Sequence, residues 1–478
     1  MSLIIPANTL ASGGFAVDNS CRFNDGSSDY LTRTPSSSGN RDKYTLSFWF
    51  KRSGIGTVQK FFNAKVDGSN FTEFGFESSD VMQIYNYNSG SVRMLRETNR
   101  VFRDVSAWYH LVLKYDSSQS TASDRFKIYI NGVEETSFSS STEPALNEDS
   151  NLNVSSAVNT LGRSQGDTYY FDGYMAEVVL LDGTALAADS FGEFDEDSGI
   201  FKPIDVSGLT FGTNGFYLDF ENSSALGNDV SGNNNDFTAN NLTAIDQSTD
   251  TCTNNFATLN PIQAALSSAT FSEGNLKSVT AGTAGENFGG GSSIGVASGK
   301  WYFEAKATVG SGSADRNVIG VTGELSNIAY NKSYTGTSST VQYQSYNGKV
   351  LKNNSDVYTG STYATGNIIQ IALDIDNLHV YFGKDGTWQN SGNPESGATG
   401  TGAVDLVALT STTDGFYFIY HGDNSGASGP VSTFEFNFGS PAFSISSGNA
   451  DGNGYGNFEY AVPSSYYSLN TKNLAEYG

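Results

Sequence analysis

Apolar and polar residues alternate with a period of two along much of this chain. Residues 44–50 read YTLSFWF, 108–115 read WYHLVLKY, and 126–131 read FKIYIN with the turn signal Gly132 behind them. Residues 174–181 read YMAEVVLL and end at Asp182-Gly183, a pair suited to a hairpin turn. A strand sends alternate side chains to opposite faces, so each run predicts a strand with one face in a core. A second set comprises 301–307 (WYFEAKA), 318–322, 368–375 (IIQIALDI), 378–383 (LHVYFG), 415–420 (GFYFIY) and 433–438 (TFEFNF). Asp376-Asn377 reads as the hairpin turn between two of them. Helical patterns are scarce, with short candidates at 185–194 and 261–268.

The pattern predicts an all-β chain of two antiparallel β-sandwiches joined by a polar connector. The expected boundaries are 1–203 for the first sandwich, 204–268 for the Asn/Asp-rich connector, 269–445 for the second sandwich and 446–478 for a Gly/Tyr-rich tail. The connector still holds one strand pattern, 215–220 (GFYLDF), and the tail is expected to pack on a domain or on a neighbouring subunit. Trp49, Trp108 and Trp301 fall on strands and are expected in cores; Trp388 is expected near the surface.

Composition narrows the function classes. Of 478 residues, 37% are hydrophobic and 13% aromatic, enough to build cores, while only 16% are charged. The net charge of −24 disfavours nucleic acid and anionic membranes as partners. No apolar run is long enough to span a bilayer. The first residues, MSLIIPANTLASGG, lack the basic start of a signal peptide, so the chain is expected to be made in a cytoplasm and to stay there or leave inside a particle. Cys21 and Cys252 make one bridge conceivable but no disulfide framework; two free thiols are expected.

The residues that bear chemistry point to binding rather than catalysis. The three histidines, His110, His379 and His421, have no metal-ligand spacing, and no HExxH, GxSxG or phosphate-loop motif occurs. No cofactor is expected, with Ca²⁺ the one ion to weigh. The segment from Asp229 to Asp236 sets oxygen side chains at alternate positions, with Asn233 and Asn235 between them. Ca²⁺ takes six to eight such ligands, but Asn240 stands where an EF-hand needs Glu. The competing reading is a run of Asx turns. The same choice applies to Asp18, Asn24 and Asp25, and to Asp423 and Asn424. Sugars are bound by amides and carboxylates beside an aromatic face. Tyr85 and Tyr87, each followed by Asn, fit that description. So do Tyr330, Asn331 and Tyr334, with Tyr343, Tyr346 and Asn347 further on, and the exposed end of a hairpin at Trp388.

Several stretches resemble known families. Residues 21–25 (CRFND), 30–36 (YLTRTPS), 46–52 (LSFWFKR), 108–113 (WYHLVL), 126–132 and 171–177 (FDGYMAE) resemble the laminin-G, concanavalin A-like jelly roll. Residues 300–304 (KWYFE), 320–323, 371–388 (IALDIDNLHVYFGKDGTW) and 434–443 (FEFNFGSPAF) resemble a SPRY-type sandwich. The combination, with 190–203 (SFGEFDEDSGIFKP), 226–237 (LGNDVSGNNNDF) and 462–474 (VPSSYYSLNTKNL), resembles virion structural proteins of tailed, marine-type phages over nearly the whole chain. That resemblance implies a non-enzymatic virion surface protein, a tail-fibre or capsid-fibre component that recognises host glycan or protein. Its partners would be other virion proteins and further copies of itself, a trimer by analogy with fibres. The alternatives are a capsid decoration protein and a polysaccharide depolymerase. Concanavalin-type glucanases carry a paired-glutamate E-x-D-x-x-E strand; here Glu193 and Asp195 are followed by Ser198 where the second glutamate belongs.

Overall fold

A computed structural model describes residues 14–164, 166, 168–263, 269–280, 285–309, 317–325, 338–425 and 432–478. The chain divides at Asn255/Phe256 into two compact units. Among the described residues nearly all regular structure is strand, and no helix is long and apolar enough to cross a membrane.

In the first unit the strands, in chain order, begin with β1 (Ser20–Phe23), β2 (Tyr30–Arg33), β3 (Lys43–Arg52), β4 (Gln59–Asp67), β5 (Asn70–Phe76) and β6 (Val81–Asn88). Then come β7 (Ser91–Val101), β8 (Trp108–Asp116), β9 (Phe126–Ile130), β10 (Val133–Glu134), β11 (Phe138–Thr142) and β12 (Val158–Leu161). The last are β13 (Gly173–Asp182), β14 (Gly192–Phe194), β15 (Phe201–Pro203), β16 (Phe216–Leu218), β17 (Thr238–Asn240) and β18 (Gln247–Ser248). Among the described residues they form two antiparallel eight-stranded sheets and a small β14–β15 hairpin. The back sheet runs β10-β9-β8-β3-β13-β1-β18, with β16 also on β13; the front sheet runs β11-β7-β6-β5-β4-β12-β2-β17. Leu46, Phe48 and Phe50 from the back sheet meet Phe62, Phe74 and Ile84 from the front in one buried core. Period-two alternation thus puts every second residue into a two-sheet sandwich.

The polar stretch after residue 203 is stitched into this unit. Its short strands β16, β17 and β18 pair with β13, β2 and β1. Residues 185–194 are not a helix. Ala188–Ser190 is a single 3₁₀ turn, and Gly192 enters β14, because Ala188 and Phe191 bury on the outer face of the back sheet. The 261–268 candidate lies mostly outside the described residues. Asp182-Gly183 makes a turn but no hairpin: the Asp182 carboxylate is spent on the backbone N–H groups of Asn40 and Asn214 and the amide of Asn153. Trp49 belongs to a second apolar cluster on the outer face of the back sheet, not to the inter-sheet core, and Trp108 is half-buried beside it. Cys21 sits in the inter-sheet core and Cys252 against that outer cluster, and both thiols are free.

In the second unit, among the described residues, a nine-stranded sheet packs against a six-stranded one. Phe303, Ile371 and Phe436 of the first meet Ile319, Val341 and Ile419 of the second around Trp301. The pairing is antiparallel except where Tyr467–Ser468 lies parallel to Lys300–Val309. The tail covers the outer face of the larger sheet. Phe458 and Tyr466 pack on Tyr302 and Tyr381, and the Glu304 carboxylate accepts from the backbone N–H groups of Glu459 (2.9 Å) and Tyr460 (2.8 Å). A short helix, α1 (Thr471–Tyr477), ends the chain.

Candidate functional site

Register places a set of side chains in one row across the front sheet. Thr238 faces Thr32, Thr32 faces Thr160, Thr160 faces Asn63, Asn63 faces Glu73, and Glu73 faces Tyr85. The neighbouring row, Leu31, Leu161, Phe62, Phe74 and Ile84, lies in the core. The Thr238–Tyr85 row therefore faces away from it. Five strand spacings of about 4.8 Å make it about 24 Å long, the length of a short oligosaccharide.

One end of the row is aromatic. Tyr85 and Tyr87 are two residues apart and share this face, as the sequence predicts. Both pack on Phe71, with ring centroids 5.5 Å and 5.1 Å from it. All three rings are half-buried, leaving ring area open to a ligand. The Tyr85 hydroxyl donates to Glu73 Oε1 at 3.1 Å. Burial and the Glu73 carboxylate push its pKa upward, so it remains a donor at any physiological pH.

The centre is polar and roofed. Glu73 Oε2 accepts from Asn63 Nδ2 (2.9 Å) and Ser164 Oγ (2.5 Å), and Lys60 Nζ lies 3.7 Å from Oε1 and 2.8 Å from Glu77. Ser164 belongs to a returning strap whose described residues are 162–164, 166 and 168–171, and which touches this part of the sheet through Ser164 and Tyr169. Its ends close on each other through Phe171 N–H to Gly162 O (2.8 Å), and Lys60 N–H donates to Tyr169 O (2.8 Å). The Arg163 guanidinium stacks 3.5 Å from the Tyr30 ring and donates to the Tyr170 hydroxyl. Gly162 starts the strap at φ +91°, where a Cβ would come within 2.7 Å of the Phe23 ring.

The far end is an open polar cleft of about 460 Å³, lined by Thr32, Thr34, Ser36, Val158, Asp236 and Thr238 among others. Beneath it lies the 229–236 loop, weighed above as a calcium site. Asp229 Oδ1 accepts from Tyr217 N–H and Ser231 N–H, and Oδ2 from Ser231 Oγ and Asn235 N–H, all at 2.8–2.9 Å. Asp236 Oδ1 accepts from Asp229 N–H. Asn233 and Asn235 turn their amide NH₂ groups toward the carbonyls of Gly212, Thr213 and Gly215, and Asn235 Oδ1 accepts from Arg33. These are Asx turns in which the carboxylate oxygens already serve the loop's own N–H groups. Among the described residues no cluster of three or more His, Cys, Asp or Glu side chains is arranged to hold a metal ion. Removing calcium with EDTA is accordingly expected to leave the thermal midpoint unchanged. Asp229→Ala, which strands buried N–H groups, is expected to cost about 2–4 kcal/mol. A midpoint that falls with EDTA in the parent, and not in Asp229→Ala, would favour the calcium reading over the Asx turns.

The remaining predicted residues are dispersed. Tyr330, Asn331 and Tyr334 lie outside the described residues. Tyr346 is exposed beside the six-stranded sheet, while Trp388 sits half-buried edge-on to Tyr302 under the tail, on the nine-stranded sheet. Tyr343 is core, its hydroxyl donating to Ser361 O. Glu193 and Asp195 share Lys202 on the β14–β15 hairpin, at 3.4 Å each. Asn63, Phe71, Glu73 and Arg163 escape a reading of the sequence because cross-strand register alone brings them beside Tyr85. The one local signal was the alternation of Phe71 and Glu73 along β5.

No curated protein matches the sequence. Among solved structures the chain is similar to the SPRY domain of human HERC1, at 17% identity over 37% of this chain and 96% of that one, TM-score 0.28. It is also similar to a heptameric SAP-like pentraxin from Limulus polyphemus (13% identity, 36% and 78% covered, TM-score 0.28). Domains LG4-5 of the mouse laminin α1 chain are a third (11% identity, 89% of each chain covered, TM-score 0.28). Residues 25–189 match the Laminin_G_3 family model, described as the Concanavalin A-like lectin/glucanases superfamily. The matched region spans strands of both sheets around the shared core, and so the first unit carries a laminin-G, concanavalin A-like jelly-roll domain.

Proposed function

We propose that this chain is a non-enzymatic virion surface protein, a tail-fibre or capsid-fibre component that binds glycan on a host surface through the open face of its front sheet. The observation that carries the reading is the outward row from Thr238 to Tyr85, accessible at its two ends. Half-buried Phe71, Tyr85 and Tyr87 rings stand at one end, and Thr32 and exposed Thr238 at the other, while Thr160, Asn63 and Glu73 lie buried between them, on a fold of the carbohydrate-binding type. Sugars need that combination: polar groups for the hydroxyls and a ring for the C–H face. The placement in a virion rests on the resemblance of 190–203, 226–237 and 462–474 to phage structural proteins. Copies arrayed on one particle, a trimer per fibre by analogy, would multiply weak single contacts into firm adhesion. Contacts of this kind depend little on long-range charge, which suits a low-charge surface in saline water.

The test is a binding titration of the full chain against host-surface polysaccharide. Tyr85 and Tyr87 expose part of their rings, so Tyr85→Ala with Tyr87→Ala is expected to leave the fold intact and weaken binding at least tenfold, about 1.4 kcal/mol. Unchanged affinity in the double variant would remove the site from this face. No binding by the parent, even as an assembled oligomer, would turn the reading toward capsid decoration.

A further inference from the structure

The back sheet holds a buried lysine in an unusual setting. Lys51, at the end of β3, is 1% exposed at its side chain. Its cross-strand neighbours on the same face are Tyr174 on β13 and Trp108 on β8, and its Nζ lies 5.6 Å from the Tyr174 ring centroid. The 250–255 segment lies against it and brings two groups to the same nitrogen. Asp250 Oδ2 is 2.7 Å from Nζ, with its side chain 2% exposed, and Asn255 Oδ1 is 2.8 Å away. Both partners are fixed from behind. The Trp108 indole N–H donates to Asp250 Oδ1 at 3.0 Å, and Asn255 Nδ2 donates to Ser106 O at 2.7 Å. The second bond sets which end of the Asn255 amide faces the lysine.

An ordinary buried ion pair needs Lys51 and Asp250 only. The third group is a carboxamide whose carbonyl carbon is one bond beyond the oxygen that touches Nζ. A primary amine and a carboxyl held out of water, in contact with a half-buried primary amide, are the components of a transamidation. We propose that Lys51 and Asn255 are joined by an intramolecular isopeptide bond, with Asp250 carrying the protons.

The atoms balance without a co-reactant. Nζ gives a proton to Asp250 Oδ2 along their hydrogen bond, which frees its lone pair for attack and leaves a carboxylic acid. The Nζ lone pair attacks Asn255 Cγ, and the carbonyl π pair moves to Oδ1. Asp250 takes a further proton from Nζ as it hands its own to Nδ2. The Cγ–Nδ2 bond then breaks, the carbonyl re-forms and ammonia leaves, carrying the lysine's surplus proton as ammonium. One C–N bond is formed and one is lost. Holding the groups in contact replaces an encounter that would be very slow in solution.

The bond would tie a central strand of the back sheet to the residue where the chain leaves the first unit, closing a loop between positions 204 apart. A pull on the chain beyond Asn255 would then load β3 directly and bypass the weakly paired strands β16 to β18, a useful property in an adhesion protein under shear. The chemistry stands without the glycan reading.

Intact mass spectrometry of the purified full-length protein tests it. The expected mass is lower than the sequence requires by one ammonia. Trypsin is expected to spare the bond after Lys51 and to yield a branched peptide joining Lys51 to Asn255. Lys51→Arg, Asn255→Ala and Asp250→Ala are each expected to restore the full mass and abolish that peptide. Full sequence mass in the folded parent protein overturns the proposal, whether or not the variants fold. So does an ammonia loss mapped to another asparagine, and so does a loss of water, which would place the bond at Asp250.

Discussion

Glu304→Ala is expected to destabilise the second unit by about 3–5 kcal/mol and to free its C-terminal tail. Glu304 is fully buried on the outer face of the larger sheet. Its Oε1 accepts from the Tyr302 hydroxyl and Tyr460 N–H, both at 2.8 Å, and Oε2 from Glu459 N–H at 2.9 Å and Asn437 Nδ2 at 3.4 Å. Burial raises its pKa, and the four donors oppose that rise without cancelling it. Truncation leaves two backbone N–H groups and a tyrosine hydroxyl without their acceptor in a dry site, which costs more than the bonds themselves contribute. Glu304→Gln keeps the volume but turns an NH₂ donor toward other donors, so it is expected to recover only part of the loss. Denaturant unfolding gives the magnitude. Limited proteolysis gives the location, with new cuts expected between residues 446 and 470. Parent-like stability in Glu304→Ala would mean that the apolar contacts of Phe458 and Tyr466 hold the tail unaided.

The second large effect is a pH dependence lodged at Glu177. This residue sits at a bulge in β13, between Ala176 and Val179, with φ +52° and little exposure. It borders a cavity of about 10 Å³, room for one water, shared with Ser47, Trp49 and His110. Burial pushes its pKa from 4.5 to about 7, and the hydrogen bond from the Tyr217 hydroxyl only moderates the rise. A pKa raised on folding means that the native state favours the protonated form. The stability this confers is fully present below about pH 4.5 and is lost as pH rises through 7, a change of roughly 3 kcal/mol. His110, held near 3 by burial, is neutral in the folded protein throughout that window but protonated when unfolded below about pH 6.5, so it adds a slope of opposite sign, which Glu177→Gln leaves in place and the comparison of the two proteins cancels. Glu177→Gln is therefore expected to match the parent at pH 4.5 and to exceed it by 1–3 kcal/mol at pH 8, on the order given by that shift. Parallel stability profiles for the two proteins would show that Glu177 ionises as freely folded as unfolded.

Much of the fold is legible because burial in a two-layer sandwich imposes a period of two. YTLSFWF and WYHLVLKY carry that period and lie within β3 and β8, and IIQIALDI does so over Ile368–Asp374 and runs one residue past it. The polar strands are not legible. TAN at β17 and QS at β18 contain no alternation, and only the edges of already formed sheets make them strands. The 185–194 segment reads as a helix since Ala, Leu and Glu favour one, but Phe191 gains more by burying on the back sheet. At the site, Tyr85 and Tyr87 are visible as an i, i+2 aromatic pair. Glu73, Asn63 and the Arg163 strap are not, since pairing across four strands and a returning loop are tertiary facts. The Lys51, Asp250 and Asn255 cluster is hidden for the same reason, Lys51 lying 199 and 204 positions from its two partners in sequence.

The central claim is recognition of a host glycan by the open face of the front sheet. Its most direct test is saturable binding of the purified, assembled protein to host cells, with soluble surface polysaccharide as competitor. The account predicts binding that the polysaccharide abolishes and that Tyr85→Ala with Tyr87→Ala weakens at least tenfold. Binding that survives saturating polysaccharide, or that the double variant retains in full, would contradict it.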